Sequence, residues 1–272
     1  MSFVEQLTSY YEGLRQRGAG QAFRERAWDQ YSRLGLPGRK TETWKYTSLD
    51  ALACGSWTPA DREAAAPEEV SRLRERWAGL FDVAVLVNGR LRNEFSSASV
   101  AQAVLEGDIE VEDGFAGLMA GLSEGGWTLK LNSSPRRPLL VIHARTGERT
   151  WSSGFHRLVA GADVRADIAE VFIGAGLRAE IMRGELGPGA RVNWVRLQQD
   201  DLSAAHFADT AFELGAGASL NYTQIQAGAA WSRVNTRVRL RAAEAEALVH
   251  GLTFGRGNST WINAWKSVTW RV

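Results

Sequence analysis

The sequence predicts a mixed α and β fold, in which a helical N-terminal region is followed by a β-helix, a solenoid of stacked coils. Apolar residues recur at helical spacing in the first third of the chain, and short alternating strands replace them from about residue 155. The pair Gly-Ala then occurs at 161–162, 189–190 and 217–218, at two intervals of 28 residues. A repeat of this length is typical of coils that cannot bury their apolar faces alone and therefore stack.

Three helices are expected before residue 82. The segment 35–38, Gly-Leu-Pro-Gly, ends the second of them, because proline cannot continue a helix and glycine favours a stop. In each helix the apolar residues share one face, and they are Phe3, Leu7, Tyr10, Tyr11 and Leu14, then Phe23, Ala27, Tyr31 and Leu34, then Val70, Leu73, Trp77 and Leu80.

The middle of the chain mixes strands with one further helix. The apolar run 83–87 ends at the turn dipeptide Asn88-Gly89, a helix is expected at 115–122, and 139–143 reads as a buried strand. The strands expected in the repeat region follow the Gly-Ala pairs or lie between them, and they cover 164–172, 192–197, 207–214, 220–225, 234–240 and 248–254.

Gly161, Gly189 and Gly217 are predicted to occupy equivalent turns of successive coils, because glycine allows the chain to turn tightly. An ordinary β-sandwich with evenly spaced Gly-Ala turns is the alternative that the pattern leaves open. On either reading we divide the chain into a helical region at 1–82, a connecting α/β region at 83–150, a β core at 151–258 and an aberrant tail at 259–272.

Composition excludes several classes of function. The 272 residues carry 32 Lys and Arg against 31 Asp and Glu, so the net charge of +1 gives no overall attraction to nucleic acid or to an anionic membrane. No apolar run is long enough to span a bilayer. The single cysteine, Cys54, allows neither an intrachain disulfide nor an all-cysteine metal site. We expect a cytoplasmic protein with no nucleic-acid or membrane partner.

No residue is assigned a catalytic, cofactor-binding or metal-binding role. A phosphate-binding P-loop motif is missing, and the four histidines have no metal-ligand spacing, so they read as buried or rim histidines. The carboxylates at 110–113 and 200–201 read as solvated loop charges. A β-helical carbohydrate-active enzyme would need acids aligned on successive coils, but the positions 28 residues from Asp163 are Arg191 and Ser219. That enzyme and a plain protein-interaction module are the alternative functions.

The most distinctive stretch is 38–49, which combines basic residues, one acid and two aromatics just after a helix stop. It suits a surface that docks a partner, with Trp44 and Tyr46 as anchors. It equally suits a linker that packs its aromatic side chains against the helical region. The physical pattern does not separate these two readings.

The same stretch resembles the N-terminal signature of the SufD family, P-x-R-K-x-E-x-W-K-Y-T-x-L. Two further segments are similar to family motifs: 185–194, with the turn and strand G-x-G-A-x-V-x-W, and 250–257, with its x-G-L-x-x-x-x-G strand. The positions that carry the signature most specifically are Arg39, Lys40, Glu42, Trp44, Lys45 and Tyr46.

This resemblance implies a right-handed parallel β-helix and a non-catalytic scaffold subunit in iron–sulfur cluster assembly. The implied partners are SufB and SufC, with SufC as the ATPase of the SufBCD complex. Iron–sulfur cluster and ATP are implied only for the complex, and none is expected on this chain alone. The C-terminal helical domain that docks SufC in the family is missing, so we expect weak SufC binding or none.

The last residues depart from the family and from the solenoid composition. Three tryptophans lie within 261–270, and a one-base shift near codons 257–259 permits the string Gln-His-Val-Asp, which resembles the family's next motif. The aspartate is forced, because the triplet that spans the codons of Trp261 and Ile262 must be GAT. The sequence therefore predicts a frameshift, a disordered or poorly packed tail and poor solubility.

Overall fold

The computed structural model describes residues 3–16, 20–38, 40–53, 56–98, 100–107, 109–255 and 259–269. Two positions discussed above, Arg39 and Cys54, lie outside these ranges. The described α-helices all precede residue 122, and they are α1 (Phe3–Arg15), α2 (Gln21–Leu34), α3 (Asp50–Ala53), α4 (Glu68–Trp77) and α5 (Gly114–Gly121). Short 3₁₀ helices cover Glu42–Trp44 and Asn93–Phe95.

Strands make up nearly all of the chain after α5. Those before residue 150 are β1 (Thr58–Pro59), β2 (Asp82–Val87), β3 (Arg90–Leu91), β4 (Ala101–Gln102), β5 (Trp127–Leu131) and β6 (Leu139–Arg145). Those after it are β7 (Thr150–Ala160), β8 (Arg165–Gly174), β9 (Leu177–Leu186), β10 (Arg191–Asp200), β11 (Ala205–Leu214), β12 (Ser219–Gln226), β13 (Trp231–Leu240), β14 (Glu246–Thr253) and β15 (Thr260–Thr269).

The strands alternate between two sheets, which is the topology of a parallel β-solenoid. The first sheet has the order β4-β5-β7-β9-β11-β13-β15, with β1 paired to β7, and the second has the order β3-β2-β6-β8-β10-β12-β14. All pairs from β5 and β6 onward are parallel. Parallel pairing between every second strand confirms the solenoid and excludes the sandwich, whose sheets are antiparallel. The stacked sheets already include β2 and β6, which precede residue 151.

The turns confirm the repeat but correct its register. Arg191 pairs with Ser219, 28 residues later, so Gly189 and Gly217 are equivalent, and both have a left-handed backbone with φ of 69° and 63°. Arg191 pairs on its other side with Arg165, only 26 residues earlier.

The residue equivalent to the two glycines is therefore Asp163, with φ of 57°, and not Gly161. Gly161 lies in the same turn, two residues earlier. The prediction failed because aspartate also tolerates the left-handed conformation, which hides that turn from a search for glycine.

Three apolar layers hold the fold together. Side chains alternate along each strand, so one face of each sheet points into the solenoid and the other points out. The interior contains Trp127, Trp194, Phe212 and Tyr222. The outer face of the first sheet is covered by α1, α2 and α5, and the outer face of β2 and β6 is covered by α4.

The elements expected from periodicity are confirmed. The three predicted N-terminal helices correspond to α1, α2 and α4, and Gly35 caps α2 with φ of 67°. The turn after β2 has positive φ at Asn88 and Gly89, as the dipeptide predicts. Among the described residues no helix follows α5.

The expectation of a disordered tail is wrong for residues 260–269. They form β15, which pairs in parallel with the whole of β13, from Trp231↔Thr260 to Leu240↔Thr269. The outer edge of β13 offers a row of N–H and C=O groups, and an alternating segment such as Thr-Trp-Ile-Asn can satisfy them. No described helix is long and apolar enough to cross a membrane.

Candidate functional site

The signature segment docks onto the outer face of the solenoid through Trp44. Its indole is 1% exposed and lies against Phe115 of α5 and Phe207 of β11, at centroid distances of 5.8 and 6.3 Å. Trp44 Nε1 donates to Asp113 Oδ2 at 3.2 Å, and the guanidinium of Arg233 lies over the ring at 4.0 Å. A residue near the N-terminus is thus fixed to two strands far along the chain.

The other signature positions divide between two environments. Arg39 lies outside the described residues, while Lys40 and Glu42 are exposed. Tyr46 is 73% exposed, with Lys45 Nζ 5.3 Å from its ring centroid. Trp44 is packed as the linker hypothesis expects, and the docking of a partner by the exposed Tyr46 stays a prediction.

Two further contacts continue this docking along β13. Thr47 is buried, and its Oγ1 accepts from Arg233 Nη1 at 3.3 Å. The backbone carbonyl of Ser48 accepts from Trp231 Nε1 at 3.2 Å. The segment 44–48 consequently binds β13 of the first sheet through both side-chain and backbone atoms.

Asp113 joins the signature segment, α5 and β13 in one hydrogen-bonded group. Its Oδ1 accepts from the backbone N–H of Ala116 at 2.8 Å and so caps α5, while its Oδ2 accepts from Asn235 Nδ2 at 3.2 Å. Burial raises the pKa of Asp113 above its ordinary value. The sequence reading of 110–113 as solvated loop charge is therefore wrong for this residue.

A cleft of about 510 Å³ opens beside this group. Its floor is the outward face of β13 and β15, and one side is formed by the signature segment and by Glu112 and Asp113. Arg233, Arg237 and Lys266 place positive charge along the floor. The volume of the cleft lies in the range of small-molecule sites, and all of its lining residues except Ala264 are polar or charged.

A second group of polar residues lies inside the solenoid, between the two sheets. Glu170 Oε1 is 2.9 Å from His143 Nε2, and Glu170 Oε2 accepts from Arg196 Nε at 2.9 Å and from Trp194 Nε1 at 3.1 Å. Burial raises the pKa of Glu170, but the Arg196 charge and the His143 hydrogen bond outweigh it and hold that pKa at about 2. Burial also lowers the pKa of His143.

The interior group continues into the next coil. Arg178 Nη2 lies 2.8 Å from Asp200 Oδ1, and His206 Nδ1 lies 2.8 Å from Asp200 Oδ2. These side chains are at most 2% exposed. The sequence reading of Asp200 as a solvated loop charge is therefore wrong as well.

One trio within this interior group has the composition of a metal site. Nitrogen and oxygen atoms of His143, His156 and Glu180 lie within 4.8 Å of one another, and all three residues are buried. The hydrogen bonds argue against a metal role. The backbone N–H of Trp127 donates to His156 Nδ1 at 3.2 Å, so the neutral ring carries its proton on Nε2, which bonds Glu180 Oε2 at 2.5 Å. A metal at Nε2 would have to displace that proton and leave an imidazolate.

Sequence reasoning missed the interior group because its members have no regular spacing. His143 and Glu170 lie 27 residues apart, and His156 and Glu180 lie 24 apart. One signal could have found the interior group. Glu170 and Arg196 are polar residues at positions of predicted strands where the alternation points inward. His250, by contrast, is exposed on β14.

The columns tested for the carbohydrate-active alternative are not acidic along the described coils, although Glu185 and Glu213 are stacked on β9 and β11. Such an enzyme needs carboxylates stacked on successive coils. The column that begins at Asp163 continues with Gly189 and Gly217, and the column of Asp167 continues with Asn193 and Asn221.

The comparisons with known proteins agree with the fold. Residues 143–266 match the family model described as SUF system FeS cluster assembly, SufBD core domain. A search of curated proteins found no match. The matched range contains β7 to β14 together with the last three residues of β6 and most of β15. The SufB/SufD-type family indicated by the sequence motifs is thereby confirmed: residues 143–266 of this chain are a SufBD core domain of the iron–sulfur cluster assembly proteins.

Proposed function

We propose that this chain is a SufD-like subunit of a SufBCD-type complex, in which it serves as a structural scaffold for cluster assembly. The observation that carries the SufD-like assignment is the docking of Trp44. The signature tryptophan lies between α5 and the outer strands of the core domain, so the N-terminal motif and the matched domain form one unit.

The chemistry of the chain supports a role as scaffold and not as independent catalyst. A cluster bound by four thiolates needs more cysteines than Cys54 can supply, so partner subunits must provide ligands for a cluster built on the complex. The interior charges are tied to one another by short hydrogen bonds and do not face a substrate cleft. A cytoplasmic location belongs to the same proposal.

The last described coil offers a surface suited to a protein partner. Leu248, Leu252 and Phe254, in and just after β14, are 56%, 49% and 53% exposed. Leu248 and Leu252 share one face of β14, and exposed apolar residues that share a face are typical of an interaction surface. We propose that the SufB-type subunit binds on this coil.

Co-purification tests the proposal. The tagged chain is co-expressed with SufB- and SufC-type subunits, and the eluate is examined by size-exclusion chromatography and native mass spectrometry. We expect the SufB-type subunit to co-elute at a fixed ratio. Elution of the chain alone, while the other two subunits form their own complex, would contradict the proposal.

A further inference from the structure

The cleft beside the signature segment contains a buried arginine, Arg233, that has no ion-pair partner within the described part of the chain. Arg233 is 1% exposed, and no carboxylate oxygen of the described residues lies within 4.0 Å of its nitrogens. Burial lowers its pKa, with Asp113 and Asp209 as the nearest negative charges. A buried guanidinium without a partner is costly, because the protein does not replace the water that it lost.

The nearest carboxylates are already engaged by other groups. Asp209 Oδ2 binds both Arg183, at 2.8 Å, and Arg237, at 3.1 Å. The oxygens of Asp113 accept from Trp44, Asn235 and the backbone of Ala116.

The acids at the rim are engaged as well. Glu110 is paired with Arg239, and Glu112 with Lys266 at 2.8 Å. Of the three cations that line the cleft, Arg237 and Lys266 therefore each have an anion, and Arg233 has none among the described residues.

Two guanidinium nitrogens on the cleft floor are available for a ligand. Arg233 Nη1 donates to Thr47, but its Nη2 has no hydrogen-bond partner among the described residues and is not sealed from solvent. Arg237 Nη2 donates to Asp209 Oδ2 and to the backbone carbonyl of Glu110. Arg237 Nη1, like Arg233 Nη2, has no hydrogen-bond partner among the described residues and is not sealed from solvent. Both side chains line the cleft, four residues apart on the outward face of β13.

We propose that this cleft binds a small oxyanion, a phosphate- or carboxylate-type group, with Arg233 as its principal ligand. Arg237 and Lys266 supply further positive potential, and Trp44 holds the Arg233 guanidinium in place by stacking on it. The cleft is concave, and two acids, Glu112 and Asp113, line one side. A compact anion avoids these acids, whereas an extended acidic peptide would meet them.

Isothermal titration of the full chain with inorganic phosphate tests the proposal, with chloride at equal ionic strength as the reference. Calorimetry is needed because phosphate also stabilises proteins in general through exclusion from their surface. A second titration with adenosine monophosphate distinguishes a free ion from a phosphate ester. Saturable binding of either probe supports the proposal, and binding of neither overturns it.

Variants then locate the site. Arg233→Gln should weaken phosphate binding at least about tenfold, because it removes a charge-assisted hydrogen bond. Arg191→Gln, an exposed arginine on β10, is the matched control and should bind as the unmodified chain does.

Should Arg233→Gln fail to fold, Lys266→Gln tests whether phosphate binds in this cleft, with little risk to the fold because the Lys266 side chain is exposed. It should weaken binding roughly twofold to fivefold by removing one nearby charge. Equal affinity for phosphate in Lys266→Gln, Arg191→Gln and the unmodified chain would overturn the proposal, as would full affinity in a folded Arg233→Gln.

Discussion

Trp44 and Arg233 form the contact that joins the N-terminal segment to the solenoid: the Arg233 guanidinium lies 4.0 Å from the centroid of the Trp44 ring. Arg233 also donates to Thr47, three residues after Trp44. The strand that carries Arg233 thus holds the signature segment through both stacking and hydrogen bonding. Within the signature, Trp44 therefore supports the fold, while the side chain of Tyr46 faces solvent.

Trp44→Ala should lower the free energy of unfolding by about 3–5 kcal/mol, since it removes a fully buried aromatic side chain. Urea denaturation followed by circular dichroism measures the change. Tyr46→Ala, two residues away but 73% exposed, is the control and should stay within about 0.5 kcal/mol of the unmodified chain. Similar losses in the two variants would show that Trp44 is not packed as described.

Glu170→Gln should cost about 3–5 kcal/mol of unfolding free energy, because it leaves the buried Arg196 without its counter-charge. The double variant Glu170→Leu with Arg196→Met removes both charges and should cost less than Glu170→Gln. Arg157→Gln, which breaks the partly exposed pair with Glu185, is the control at about 0–1 kcal/mol. The pair would not be coupled if the double variant lost as much unfolding free energy as Glu170→Leu and Arg196→Met lose when their separate effects are added.

Stability should fall as the solution is acidified. Burial holds the pKa of His143 and His206 below 6.5, so the unfolded chain takes up protons first and acid favours unfolding below about pH 6.5. The pKa of Glu170, about 2 against an ordinary 4.5, acts in the same direction, and its contribution is lost as the pH falls from 4.5 towards 2. Urea midpoints between about pH 7.5 and about pH 4.5 should decrease steadily. The raised pKa of Asp113 acts in the opposite direction, but it is one group against two histidines, so an increase over that range would contradict the neutral buried histidines.

Gly217→Ala should destabilise the chain by about 1 kcal/mol, since its φ of 63° is unfavourable for alanine although no atom lies within 4 Å of an added Cβ. Gly217→Asn should cost less, because asparagine tolerates this conformation as Asp163 does. Gly79→Ala meets equally open space without a positive φ, so it isolates the backbone effect. Thermal unfolding measures all three, and equal shifts would rule out a left-handed turn.

Leu248→Ser combined with Leu252→Ser should reduce co-purification of a SufB-type subunit, because both side chains are about half exposed on the last described coil. Leu202→Ser is matched in exposure at 56% but lies in the turn between β10 and β11. That control should leave the yield of partner unchanged. Equal loss in both variants would place the interaction elsewhere.

The helices and strands were predicted well from local patterns, because the spacing of apolar residues and the residue types of turns can be recognised within a few residues. The stop at Gly35 and the turn at Asn88 are examples. The repeat was readable because Gly189 and Gly217 are glycines, and its register failed at Asp163 because a different residue serves the same backbone geometry.

The candidate sites were harder to predict, because they depend on contacts between distant residues. Trp44 meets Arg233 across 189 positions, and Asp113 meets Asn235 across 122. The family motif pointed to Trp44 but not to its partners. The interior pair of Glu170 and His143 arises from stacking of coils with unequal lengths, which a fixed interval of 28 residues does not reproduce.

Cluster formation on the assembled complex shows whether this chain takes part in iron–sulfur cluster assembly. Iron and acid-labile sulfide are quantified after anaerobic assembly with the SufB- and SufC-type subunits, with this chain present or omitted. We expect a brown complex that contains this chain and carries iron and sulfide, with little of either when the chain is left out. Equal iron and sulfide in both preparations would contradict a role for this chain in cluster assembly.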